Sequence, residues 1–212
     1  MSDNHSHANP FRRLVELIVS GDSGMAIGLL EASPHLAGKC AAHGASRQAP
    51  SEDYFDRIAH YMYAGDTALH MAAAAKQSAV VKKLISMRAD VSARNRRGAE
   101  PLHYAADGGP GSPVWNPTEQ SNIISMIIRA GANPNSIDKS GVAPLHRAVR
   151  NRSAAAVATL IAGGADPTAP NAAGSTPMLL ASENTGKSGS GSPEAREQRQ
   201  EIVRLLLDHG AQ

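Results

Sequence analysis

The stretch Gly141-Val-Ala-Pro-Leu-His-Arg-Ala-Val-Arg150, closed by Gly164-Ala-Asp-Pro167, decides the fold, because both halves recur along the chain. The first half returns as Gly65-Asp-Thr-Ala-Leu-His70, Gly98-Ala-Glu-Pro-Leu-His103 and Gly174-Ser-Thr-Pro-Met-Leu179, with leading glycines 33, 43 and 33 residues apart. The second half returns as Arg88-Ala-Asp-Val91, Gly131-Ala-Asn-Pro134 and Gly210-Ala-Gln212. It begins 23 residues after the leading glycine in the first and third of these units. In the second and fourth it begins 33 and 36 residues after, which measures insertions of 10 and 13 residues. Two signatures holding one offset over four units define a repeat, and a period of this length signals stacked supersecondary units.

Each unit reads as helix, turn, helix. Thr67 and Thr176 are placed to cap a helix start through their hydroxyls. Pro101, Pro144 and Pro177 occupy first-turn positions, where proline loses no needed hydrogen bond. Apolar residues follow at helical spacing: Leu145, Ala148 and Val149 in a first helix, then Val80, Val81, Leu84 and Ile85 or Ile202, Val203, Leu205 and Leu206 in second helices. The glycine of the Gly-Ala-Asp signature suits a left-handed terminator. Arg88 takes that place in one unit, at a cost of about 1 kcal/mol. Helices this short are marginal alone, so adjacent units must bury one another's apolar faces.

The pattern Gly-x-Thr-Pro-Leu-His-x-Ala-Ala, then Val-Val-x-x-Leu-Leu-x-x-Gly-Ala-Asp, resembles the ankyrin repeat. The resemblance covers residues 64–212, apart from the two insertions, and implies an all-α solenoid of helix-turn-helix units joined by short β-turn or hairpin connections. Repeats fall at about 64–96, 97–139, 140–172 and 173–212. Residues 11–37 are a degenerate first unit, with Leu14, Leu17 and Ile18 in one helix and Ile27, Leu29 and Leu30 in the next. Residues 1–10 read as a flexible tail, and 38–63 as an irregular insert in which Ser51 caps an extra helix carrying Tyr54, Phe55 and Ile58 on one face. Ending just after Gly-Ala, the array is expected to be nearly complete at Gln212.

Composition narrows the function. The formal net charge of +2 is too small to announce nucleic-acid or membrane binding. The single cysteine, Cys40, excludes an intramolecular disulfide and a multi-cysteine zinc site. No stretch approaches 18 apolar residues, and the start lacks the layout of a signal peptide, so a cytoplasmic location is expected. An aromatic content of 3%, against abundant Ala, Leu, Ile and Val, suits small helices packed closely.

Three motifs resemble chemistry and read better as structure. Gly21-Asp-Ser-Gly24 resembles the segment around the nucleophile of trypsin-like proteases, but that chemistry needs a His and an Asp held by a β-barrel. Between two helices, these residues make a turn. Ala181-Ser-Glu-Asn-Thr-Gly-Lys187-Ser188 fits a relaxed phosphate-loop pattern without the preceding strand that the mechanism requires. His70, His103 and His146 recur once per unit, so stacking separates them by about 10 Å, too far to share a metal ligated at about 2 Å. The family resemblance implies instead that each braces the loop of a neighbouring repeat. His5 and His7 belong to the tail. No catalytic, cofactor or metal residue is assigned, and the chain is expected not to be an enzyme.

The resemblance also implies that a partner meets the turn tips and the exposed first-helix positions. By register the tips are Arg96-Arg97, Lys139-Ser140 and Ala172-Ala173, with Arg94 and Ile137 just before two of them. The helix positions are Ala74, Ala75, Asp107, Arg150, Asn151, Glu183 and Asn184. Candidate partner-binding residues are therefore Arg94, Arg96, Arg97, Lys139, Arg150 and Arg152, with Trp115 in the first insertion as an aromatic anchor. An alternative has Trp115 folding back over its own helices. The expected role is a monomeric protein-interaction module whose partner offers an acidic surface. Nucleic-acid binding through the same basic patch, or self-association as a scaffold, are the alternatives.

Overall fold

The structure, a computed structural model, describes residues 9–46, 53–183 and 192–211. Two rows of helices follow from the repeat. The first helices of five units are α1 (Pro10–Ser20), α3 (Ala68–Ala74), α5 (Pro101–Ala105), α7 (Pro144–Arg150) and α9 (Pro177–Ser182). The second helices are α2 (Ser23–Ala32), α4 (Ser78–Ser86), α6 (Pro117–Arg129), α8 (Ala154–Ala162) and α10 (Pro193–Asp208). Each first helix packs on the first helix of the next unit, and each second helix on the next second helix. The all-α solenoid is thereby realised, its core lying between the rows. Leu69, Leu102 and Leu145 are enclosed from one row, and Val81, Leu84, Ile124, Ile127, Leu160 and Leu206 from the other. Each such side chain contributes roughly 1.5–3 kcal/mol on leaving water.

The helix ends obey their local signals. Thr67 and Thr176 accept from the amides of His70 and Leu179. Pro101, Pro144 and Pro177 stand at helix starts. Gly131, Gly164 and Gly210 adopt positive φ after the second helices, and Arg88 shares that conformation at φ +61°. Both insertions separate the two helices of their unit, between α5 and α6 and between α9 and α10. Residues 184–191, which include Asn184, Lys187 and Ser188, lie outside the described residues, as do His5 and His7.

Two of the repeated histidines join unit to unit. The Nδ1 atoms of His70, His103 and His146 accept the amides of Thr67, Glu100 and Ala143 at 3.1, 3.1 and 3.2 Å. An accepting Nδ1 leaves the proton on Nε2. In His70 and His103 that proton is donated to Ala99 O and Val142 O of the following unit, at 3.1 and 3.0 Å. The turn tips are stitched in the opposite direction: Arg96 N donates back to Ala64 O, Lys139 N to Arg97 O and Ala172 N to Ser140 O. Gly141 permits this approach, since its φ is +68° and a Cβ there would lie 2.5 Å from Ala172 N.

Residues 38–63 differ from expectation. Ala41, Gly65 and Asp66 exchange backbone hydrogen bonds, and Ala45 N donates to Met62 O, so the segment runs alongside the first turn. Instead of a helix, β1 (Tyr54–Phe55) and β2 (His60–Tyr61) form a hairpin with Tyr54 opposite Tyr61, around a 3-10 turn at Asp56–Ile58. Tertiary partners decide this: the Tyr54 and Tyr61 rings meet at 4.6 Å, and the Arg12 guanidinium lies 5.0 Å from the Phe55 ring. The expected cap, Ser51, lies outside the described residues. No helix among the described residues is long and apolar enough to cross a membrane.

A candidate binding groove along the first helices

The turn tips and the C-terminal ends of α3, α5 and α7 enclose an open groove of about 760 Å³. One wall is residues 58–63 of the hairpin insert, and the other includes the first insertion from Gly108 to Pro113. The floor is ionic. Arg147 donates to Asp107 Oδ2 at 2.8 Å and to Asp138 Oδ2 at 3.0 Å. Burial alone would raise the Asp107 carboxyl, but Arg147, backed by His60 and Lys76, holds it well below the usual carboxylate range. Burial opposes the charge on Arg147 as well, and Asp107 and Asp138 more than offset it. The floor is therefore charged yet internally neutralised.

Asp107 is also where the two inserts meet. His60 Nε2 lies 3.3 Å from its carboxylate, and the His60 ring stacks on Tyr104 at 4.4 Å. Asn151 Nδ2 approaches the other carboxylate oxygen at 3.3 Å. The Asp107 carbonyl accepts Lys76 Nζ at 2.7 Å and Gln120 Nε2 at 3.1 Å. Beneath lies a second knot, in which buried Asp66 accepts Asn95, Tyr104 and the Tyr63 amide at 2.6–2.8 Å.

Lys76 and Arg152 each follow their unit's leading glycine by 11 residues, and each takes positive φ, at 56° and 59°. Their side chains turn inward. Lys76 Nζ donates to the carbonyls of Ala105 and Asp107 at 2.9 and 2.7 Å, with those of Ala73 and Tyr104 at 3.3 Å. Burial lowers its pKa to about 8 against the opposing pull of Asp107. Arg152 donates to the carbonyls of Ala181 and Glu183 at 3.1 and 2.7 Å. Each thus closes the orphaned carbonyl end of the next unit's first helix, just where an insertion departs. From the other side Gln120 and Arg199 cap the same two ends.

The expected partner residues are thereby sorted. Arg97 and Arg150 line the groove, are exposed, and have no carboxylate partner among the described residues. Arg96 and Lys139 are exposed on the tips. Arg94 is tied to Glu100 at 3.1 Å and to the carbonyl of Ile137 at 3.2 Å. Arg152 is a correction: at 2% exposure it is enclosed by the cap it forms and presents nothing to a partner. Ala74 and Ala75 are likewise buried. Trp115 folds back, its Nε1 donating to Gln120 Oε1 at 3.3 Å. Ser23 occupies the first turn of α2 and donates to Gln77. Cys40 is exposed.

Sequence reasoning missed His60, Tyr63 and Lys76. Register reveals Lys76 once Arg152 is seen at the same offset. No local signal placed His60 or Tyr63 at the groove, because only the hairpin carries them there.

Comparison with known proteins agrees with this architecture. The family model described as ankyrin repeats in three copies matches residues 116–212, and the single ankyrin repeat model matches residues 64–96. The mouse ankyrin repeat and SOCS box protein 16 is 32% identical over 148 residues, covering 69% of this chain and 30% of the mouse protein. The Drosophila melanogaster tyrosine-protein kinase Shark is 34% identical over 121 residues, covering 56% of this chain and 12% of the kinase. The human BCL-6 corepressor-like protein 1 is 33% identical over 143 residues, covering 67% of this chain and 7% of its own length. The chain thus spans under a third of each of these relatives.

Proposed function

This chain belongs to the ankyrin-repeat family, and from that premise we propose that it is a non-catalytic protein-interaction module whose groove receives a segment of a protein partner. The family is in general one of protein–protein interaction modules. One observation carries the reading. The groove floor has satisfied its own charges, whereas Arg97 on the tips and Arg150 at the end of α7 face the open space with no carboxylate partner among the described residues. Cations arranged this way favour an acidic partner surface, and they raise the rate of encounter more than the final affinity.

The test is capture from a native lysate by the folded chain. Two substitutions at exposed groove positions, Arg150→Glu and Ala173→Trp, reverse a charge and obstruct the space respectively. Each is expected to reduce capture of the retained proteins about tenfold, the loss of one good interfacial contact, with circular dichroism unchanged. An identical captured set in comparable amounts from both variants would refute the groove as the binding site.

A further inference from the structure

We propose that Tyr63, Arg96 and Arg97 form a clamp for carboxylates spaced along an extended acidic peptide, a specificity element that rests on reading the groove as a protein-binding site. The residues come from two places, Tyr63 just after the hairpin and Arg96-Arg97 on a turn tip, yet their backbones are anchored around one point. The Tyr63 amide donates to the enclosed Asp66 carboxylate at 2.6 Å, and Arg96 N donates to Ala64 O at 2.8 Å. Arg97 N donates to Asn95 Oδ1 at 2.9 Å, and Asn95 itself holds Asp66. The side chains then converge on one ring. The guanidinium carbons of Arg96 and Arg97 lie 5.4 and 5.1 Å from the Tyr63 centroid. Arg97 Nη1 reaches the Tyr63 hydroxyl at 3.5 Å, and Arg96 Nη2 donates to Ala45 O.

Both arginines are exposed, and neither has a carboxylate partner among the described residues. A guanidinium resting on a ring keeps N–H groups free at its edge, and an edge already held in place loses less entropy on pairing with a planar carboxylate. The same contacts argue against a nucleobase, since two guanidiniums leave Tyr63 little ring face on which to stack one.

The array sets the spacing. Lys139 N donates to Arg97 O at 2.9 Å, so exposed Lys139 follows the clamp on the next tip. Neighbouring units lie about 8–10 Å apart at helix-packing distance. A polyproline II peptide rises about 3.1 Å per residue with three residues per turn, so acidic residues at every third position share one edge about 9 Å apart. Such a peptide would set one carboxylate on Arg96 and Arg97 and the next on Lys139.

The test is fluorescence anisotropy with a labelled peptide of four Glu-Pro-Pro triplets. A Lys-Pro-Pro peptide and a thymidine oligonucleotide of equal length are the comparisons. The double variant Arg96→Lys/Arg97→Lys keeps the charge but loses the planar fork, and is expected to bind the acidic peptide about tenfold more weakly. Tyr63→Ala is expected to match that loss, and Tyr63→Phe to stay within about twofold of the parent. Lysine variants that bind as the parent does would show that charge alone acts and overturn the clamp. So would tighter binding of the oligonucleotide than of the peptide. Absence of peptide binding while Arg150-dependent capture from lysate persists would remove the clamp and leave the groove reading standing.

Discussion

Four residues other than glycine adopt positive φ among the described residues, and two of them show how one backbone conformation serves opposite ends. Arg88 ends α4 in the left-handed region, where its exposed side chain has no bonded partner among the described residues. Replacing it by glycine removes a steric cost of about 1 kcal/mol, against a few tenths for losing a cation at a helix C-terminus. Arg88→Gly should therefore raise the melting temperature by about 2–4 °C. Arg152 has nearly the same φ, but its guanidinium fills buried space and satisfies two carbonyls. Here the orphaned carbonyls and the void outweigh relief of strain, so Arg152→Gly should cost about 2 kcal/mol or more. Thermal melts of the two variants shifting in the same direction would contradict this account.

At the scale of elements, the first insertion is seated by contact as well as by hydrogen bonds. Gln120 on α6 donates to the carbonyls of Ala105, Asp107 and Gly108, while its amide oxygen accepts Trp115 and Ser153. Gly109 lies so close to α7 that a Cβ would fall 1.6 Å from the Asn151 carbonyl oxygen. That neighbour is backbone and cannot swing aside. Gly109→Ala must therefore push the insertion away from α7 and loosen the Trp115–Gln120 contact. Trp115 is the only tryptophan, so its emission reports on this seat alone. The expected result is a red shift in emission with a stability loss of about 2 kcal/mol, the usual scale for core overpacking. An unshifted spectrum with an unchanged melt would show that the seat tolerates a methyl group.

Across the whole molecule, the repeated histidines share one chemical weakness. His70, His103 and His146 are enclosed and neutral, each accepting an amide at Nδ1. Burial lowers the pKa of all three, and in His103, with Arg147 adding to it, the value falls to about 4. A folded-state pKa below the unfolded one means that the unfolded chain binds more protons between the two values. Stability is then complete above about pH 6.5 and drains away as pH falls toward 4, by about 3 kcal/mol for a shift the size of His103's. Because His103 joins two central units, His103→Gln should flatten this acid slope in urea titrations run across that range. A slope equal to the parent's would place the acid sensitivity elsewhere.

What the sequence determined by itself was the array. Periodic glycines, first-turn prolines and apolar spacing act within one unit and between neighbours of like pattern, so local chemistry suffices to place ten helices and two insertions among the described residues, whereas the histidine links followed from the family resemblance. The exposed arginines of the turn tips were legible too, because register alone assigns them. Which basic residues remain available was not. Lys76 and Arg152 turn inward because inserted units leave helix ends open, a demand made by the next unit rather than by their own segment. The hairpin of residues 54–61, and with it His60 and Tyr63 at the groove, was decided by tertiary structure alone. Its two short strands are held by Arg12, Tyr104 and Asp107, partners up to 47 residues away, and no local pattern encodes them.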